Sequence, residues 1–297
     1  MIVDCHTHIW QTPEQLGQAE LGNSMQPRRG AVGANRGLAN RGAAWRNVPA
    51  ADPDYHMAQA SAADKVIVLG FKSRYMKAEI PNRFVADYVN RFPHKLIGFA
   101  GIDPTERGAD KEVETALLDL RLRGITVSPA NQDFHPSDSR AMNVYAEAER
   151  LNMPMLVHSG NQYTEHSKLE YARPYLFDEV ARTFPKLRII IAQVGQPWVE
   201  ETICLLGKHQ NVFADISGLL TRQWQAYNAL VSAHQAGVME KLLFGSDFPY
   251  RSITECIESL YNINQLGQGT NLPLVPREAL RGIIERDALG LLGLEAK

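Results

Sequence analysis

Eight short apolar runs, most of them separated by helix-like stretches, constrain the fold of this 297-residue chain more than any other feature. They fall at Ile2–His8, Lys65–Gly70, Leu96–Ile102, Gly124–Pro129, Met155–Gly160, Arg188–Gly195, Val212–Gly218 and Lys241–Pro249. Most are β-branched or aliphatic and end in Gly, Pro or a polar residue, as strands buried on both faces do. Between them, apolar residues recur at helical spacing. Asn82 to Phe92 places Phe84, Val85, Tyr88, Val89 and Phe92 on one stripe, which Pro93 closes. Residues 112–122, 139–151, 171–184 and 221–236 repeat the pattern, and 277–294 reads as closing helices. Strands alternating with helices predict parallel pairing through right-handed crossovers. Eight such units favour an α/β (β/α)8 TIM barrel over an open sheet. A doubly wound sheet would carry a Gly-rich phosphate turn after its first strand; here that position reads His6-Thr7-His8-Ile9-Trp10.

The length suits one barrel domain spanning residues 1–297. One segment is out of proportion. Residues 11–54 are poor in apolar clusters and rich in Gly, Asn, Ala and Arg. A loop of that length is functional or disordered more often than not. It follows the first strand, so it leaves from the C-terminal face, where active sites of this fold sit. It reads as a lid or an oligomer arm, and Arg28, Arg29, Arg36, Arg41 and Arg46 are candidates to meet a substrate carboxylate.

The net charge of −2, with no basic tract, gives no electrostatic case for nucleic acid or an anionic membrane. No apolar run approaches the ~20 residues of a membrane span. Three scattered cysteines make neither a disulfide framework nor a thiolate zinc site. Met1-Ile2-Val3 runs into Asp4 without a signal-peptide pattern, so a cytoplasmic protein is expected.

The chemistry-bearing residues sit at strand ends. Residues two apart on a strand point the same way, so His6 and His8 face one side together. His158 ends the fifth strand, where barrels display catalytic groups; alone it reads equally as a packed core histidine. Asp247 ends the eighth strand, which neighbours the first once a barrel closes; alone it reads equally as a helix cap. Together, three histidines and a carboxylate converge on one barrel mouth. That donor set suits one divalent ion with an open position, zinc first and manganese as the alternative.

The chain resembles the amidohydrolase-2 group of the amidohydrolase superfamily, relatives of aminocarboxymuconate-semialdehyde decarboxylase and γ-resorcylate decarboxylase. The resemblance runs through Val3 to His8, Gly98-Phe99-Ala100-Gly101-Ile102-Asp103-Pro104, Leu151 to Gly160, Phe213-Ala214-Asp215-Ile216-Ser217-Gly218 and Leu243 to Pro249. It implies that His6, His8, His158 and Asp247 bind the metal. One departure stands out. The family shows His-x-Gly-x-Pro-Trp after the sixth strand; this chain has Gln193-Val194-Gly195-Gln196-Pro197-Trp198. The resemblance places Gln193 beside the metal-activated water. A glutamine cannot exchange a proton near neutral pH, although its amide can hydrogen-bond.

These residues imply a metal-dependent hydrolase of a small carboxylic ester, lactone or amide, working through a metal-activated water. Asp247 accepts the proton and Gln193 orients substrate. The alternative is non-oxidative decarboxylation of an aromatic or enoic acid, and a further one is a non-catalytic binding barrel. Trp10, His166, Trp198 and Arg251 are candidate substrate contacts, with His135 also on a C-terminal-face loop. The expected partner is a small carboxylated molecule, and a homodimer fits the resemblance and the long loop.

Overall fold

The computed structural model describes residues 1–17, 49–160 and 163–295. Most of the 11–54 insertion, including its five arginines, lies outside the described residues.

The eight barrel strands are β1 (Val3–His8), β2 (Lys65–Leu69), β3 (Leu96–Gly101), β4 (Gly124–Val127), β5 (Met155–Val157), β6 (Ile189–Ile191), β7 (Val212–Asp215) and β8 (Leu242–Leu243). Each pairs in parallel with the next in sequence. The seam between last and first closes beyond the short β8. Cys5 N donates to the Phe244 carbonyl at 2.9 Å, Asp247 N to that of His6 at 3.0 Å, and His8 N to that of Phe248 at 2.9 Å. Each of the eight strands falls on one of the eight runs read from the sequence.

Side-chain alternation sorts the strands into two packed layers. Cys5, Ile67, Phe99, Leu156 and Ile190 fill the barrel, which Leu289 and Leu292 of the helix Ala288–Leu292 plug from one end. Their neighbours Val66, Val68, Ala100, Ile125 and Ile191 face the surrounding helices. β1 breaks the alternation. Its pairing with β2 shifts between Asp4 and Thr7, a β-bulge of one extra residue. Cys5 and His6 therefore both face the interior, and His8 follows His6, while Thr7 turns outward.

Two elements near the mouth were not evident in the sequence. A hairpin of Phe71–Ser73 and Ala78–Ile80 follows β2. It is tied to the barrel where Gln132 Nε2 donates to the Lys72 carbonyl at 2.6 Å and Ser73 Oγ to that of Asn131 at 2.6 Å. The helix Pro53–Gln59 starts at Asp52, whose carboxylate accepts from the Asp54 and Tyr55 amides. No helix among the described residues is long and apolar enough to cross a membrane.

Candidate active site

The bulge delivers His6 to the floor of the barrel mouth, where it is fully buried. Its Nδ1 lies 2.9 Å from Asp215 Oδ2, at the end of β7. The other oxygen, Asp215 Oδ1, accepts from the backbone N of Ser217 at 2.9 Å, from the Ser217 hydroxyl, and from Gln193 N at 3.1 Å. Burial alone would raise the Asp215 pKa, but the charge and hydrogen bond of His6, with the other donors, bring it below the usual value. Burial likewise works against a charged His6, and Asp215 and Asp247 outweigh it, raising its pKa.

An Nδ1–H committed to Asp215 leaves Nε2 as the His6 atom that can ligate, on the side of the other two histidines. Facing it at 3.0 Å is His8 Nε2. Burial, then the neighbouring His6 and His158, hold the His8 pKa well below normal. His158 behaves alike, pushed down to about 3 by burial and by His6. Its Nε2 is buried and has no hydrogen-bond partner. The ligating atoms of the three histidines lie within 4.8 Å of one another. Asp247 Oδ1 approaches His6 Nε2 at 3.7 Å and His8 Nε2 at 4.0 Å. Nitrogens converging this closely, one of them an orphan, must share either a proton, as His6 and His8 can, or a cation that all three can ligate. The donor set of three imidazoles and a carboxylate fits a divalent metal ion.

Gln193 occupies a tight slot behind this cluster. Its Nε2 donates to Asp247 Oδ2 at 3.3 Å. A Cβ on Gly160 would stand 2.6 Å from the Gln193 Cβ, and one on Gly218 would stand 2.9 Å from both Gln193 Nε2 and Asp247 Oδ2. Gln193, Val194 and Asp247 all have left-handed backbones, with φ of 56°, 50° and 65°. Such strain in non-glycine residues persists where the surroundings over-determine it, and it clusters at functional sites.

Above the floor opens a hollow of about 720 Å³, including solvent at its mouth. His8 and His158 form its base, and Trp10, Leu16, Phe71 and Met76 supply much of its wall. Phe71 stands edge-on to His158, ring centres 6.4 Å apart.

The remaining candidates fall in several places. Trp10 lines the hollow, with its indole N–H donating to the Pro49 carbonyl at 3.2 Å. Trp198 sits behind the lining residue Tyr163, ring centres 6.1 Å apart, and under the Arg173 guanidinium. His166 is exposed, with Nε2 3.5 Å from Glu165, and does not line the hollow. Arg251 is turned away from it, donating to the Leu220 carbonyl at 2.8 Å and to Ser259 Oγ at 2.8 Å. His135 packs edge-on to Tyr171.

Sequence reasoning assigned no role to three buried groups around the cluster. Asp215 is one; a carboxylate ending an otherwise apolar strand was the available signal. Asp4 Oδ1 accepts from His6 N at 3.2 Å and from Ser246 N at 2.9 Å, bridging the seam. His56 Nε2 lies 2.9 Å from Thr7 Oγ1, whose hydroxyl donates to the Ile67 carbonyl at 2.7 Å, and His56 Nδ1 lies 2.7 Å from the Tyr88 hydroxyl. With Thr7 committed as a donor, His56 donates from Nε2, and a neutral ring then accepts at Nδ1 from the Tyr88 hydroxyl. Burial agrees, lowering its pKa to about 4.

A family model described as Amidohydrolase matches residues 3–285, nearly the whole chain. The chain belongs to the amidohydrolase family. It is accordingly a metal-dependent enzyme of that superfamily, a hydrolase or a carboxy-lyase. Solved structures of similar fold include an uncharacterized TIM-barrel protein from Bordetella bronchiseptica, 19% identical, with a TM-score of 0.68 and coverage of 99% of this chain and 98% of that one. A probable 2-pyrone-4,6-dicarboxylic acid hydrolase from Acinetobacter baumannii is 13% identical, with a TM-score of 0.63 and coverage of 98% and 99%. The 5-carboxyvanillate decarboxylase of Novosphingobium aromaticivorans, solved with manganese and 4-hydroxy-3-methoxy-5-nitrobenzoic acid, is 12% identical, with a TM-score of 0.66 and coverage of 99% and 96%. No curated protein matches the amidohydrolase closely enough to count as a relative.

Proposed function

We propose that this amidohydrolase is a non-oxidative decarboxylase of an aromatic carboxylic acid, working with one divalent ion, manganese or zinc. The observation that carries this reading is an aromatic-walled hollow opening directly onto the three-histidine floor. A planar ring fits against Phe71 and Trp10, with its carboxylate reaching down to His8 and His158. His6, His8, His158 and Asp247 would hold the ion, with Asp215 fixing the His6 tautomer. When bound, the ion supplies positive charge that anchors the carboxylate and stabilises negative charge developing on the substrate.

The residues divide the remaining work. The apolar wall keeps water from the reacting carbon, which strengthens every charge interaction at the floor. Gln193 holds Asp247 through Oδ2, leaving Oδ1 on the cluster side. An Asp247 carboxyl that had taken up a proton from solvent would pass it from Oδ1 to the ring carbon and return to the carboxylate that holds the ion. The carbon–carbon bond then breaks, its electron pair returns to the ring and carbon dioxide leaves. Gln193 cannot serve as the donor, having no proton to exchange near neutral pH.

That limitation of Gln193 also supports a second reading, hydrolysis of an ester, lactone or amide with Asp247 Oδ1 accepting a proton from water. Product analysis separates the two. Manganese- or zinc-loaded protein is incubated with a panel of hydroxybenzoates and of aryl esters and lactones. Labelled carbon dioxide from a carboxyl-labelled acid supports decarboxylation. Release of alcohol or ring-opened acid, with no carbon dioxide, replaces it with hydrolysis.

A further inference from the structure

The polar atoms lining the hollow are arranged unevenly, and that arrangement bears on which acid it accepts. On the walls they are engaged with the chain itself. The Trp10 indole N–H goes to the Pro49 carbonyl, and the Tyr163 hydroxyl donates to that of Ser159 at 2.9 Å. Asn131 Oδ1 accepts from Ser167 Oγ at 2.6 Å, and Thr164 Oγ1 lies 3.2 Å from the same hydroxyl. Each bond is internal, so a ligand atom competing for one must break it, and a neutral hydrogen bond exchanged for another gains little.

The floor is different. There His158 Nε2 is buried with no partner and His6 and His8 turn their nitrogens toward each other. Affinity for a charged group is therefore concentrated at the metal cluster. The walls reward hydrocarbon: Leu16 from the start of the insertion, and Phe71, Met76 and Ile80 from the hairpin. No lysine or arginine is among the described residues lining the hollow. Among the described lining residues, a second carboxylate on the substrate would lose its water with no cation in exchange, a heavy penalty for an isolated charge.

We infer that the site selects aromatic monocarboxylates with an apolar body, holding the single carboxylate at the floor and rejecting dicarboxylates, with the Phe71–Ile80 hairpin as the specificity element. This rests on the floor binding a carboxylate, as proposed above, and not on whether that carboxylate is then lost as carbon dioxide.

The test is calorimetric titration of the manganese-loaded protein with 3-methylbenzoate and with benzene-1,3-dicarboxylate, which differ in one substituent. The expected result is at least tenfold tighter binding of 3-methylbenzoate. Phe71→Ala should weaken 3-methylbenzoate at least fivefold and leave acetate, which reaches the floor alone, within twofold. Equal or tighter binding of the dicarboxylate would overturn the inference, as would Phe71→Ala weakening both monocarboxylates equally. Failure of 3-methylbenzoate to bind would overturn it too. Binding is read without turnover, so an absence of carbon dioxide would count against the decarboxylase reading and leave the selectivity standing.

Discussion

Replacing Asp215 with Asn tests how the site is assembled, because it removes a charge while keeping the shape. The carboxylate receives His6 Nδ1–H on one oxygen and three donors on the other. An asparagine has one oxygen and one NH2, so it must choose. If its oxygen turns to His6, its NH2 confronts the Ser217 amide, the Ser217 hydroxyl and the Gln193 amide. Each buried donor left unmet costs about 1–3 kcal/mol, and two of these three are backbone amides that cannot rotate away. If its oxygen stays with those donors, a single NH2 faces His6 Nδ1. His6 then accepts there and carries its proton on Nε2, the atom aimed at His8 and the cluster. The second arrangement is cheaper by several bonds, so Asp215→Asn should turn His6 into the wrong tautomer for ligation. Loss of a partner that orients a metal ligand typically weakens metal binding about 10–100-fold, or ~1.4–2.7 kcal/mol; enforcing the wrong tautomer places this variant at the upper end. Competition against a chromophoric chelator for zinc and manganese measures the effect, with circular dichroism to establish that the barrel is intact. Affinity within twofold of the parent would refute the tautomer argument.

Other outcomes follow from the same geometry. Gly218→Ala puts a methyl 2.9 Å from both Asp247 Oδ2 and Gln193 Nε2 on a backbone with φ of 62°; it should lower thermal stability by about 1–2 kcal/mol from backbone strain alone and weaken metal binding, and an unchanged melting point and affinity would contradict the close packing. Thr7→Val removes the acceptor for His56 Nε2–H and should destabilise the protein by about 1–3 kcal/mol in urea titrations. In the metal-free protein, stability should fall as pH drops below ~6.5. His8, His56 and His158 have depressed pKa values, so the unfolded chain takes up protons that the folded one refuses until about pH 4 for His56 and about pH 3 for His158. His6 works in the opposite sense: its raised pKa adds stability below ~6.5 that is lost as pH climbs through the folded value. For His56 the fall from 6.5 to about 4 corresponds to about 3 kcal/mol at ~1.4 kcal/mol per pKa unit. Urea midpoints at pH 7, 5 and 4 should therefore decline, and less steeply in His56→Gln; parallel slopes would remove His56 from the account.

The barrel was legible because each buried strand announces itself as an apolar run of a few residues, and eight such runs leave few alternatives. The histidine pair was legible because Thr7 separates His6 from His8. Their inward direction followed from strand alternation and the expected shared ion; the bulge that lets Val3 and Cys5 face in as well leaves no mark in composition. The hairpin escaped because three-residue strands are too short to show a period, and Phe71 reads as an extension of the run ending at Gly70. Long polar side chains near the mouth were the least predictable. Arg251 follows Asp247 closely in sequence, yet its length lets it reach the Leu220 carbonyl instead. His166 lies on a C-terminal-face loop as expected, but its ring meets Glu165.

The seam has a consequence for how the protein matures. Asp4 and Ser246, 242 residues apart, meet there, and the bonds that join them flank His6 and Asp247. A growing chain emerging from the ribosome therefore carries His6 and His8 long before it can give them Asp247. Barrel closure and completion of the ligand set are one event, so uptake of metal at full affinity should report the moment at which the last strand finds the first.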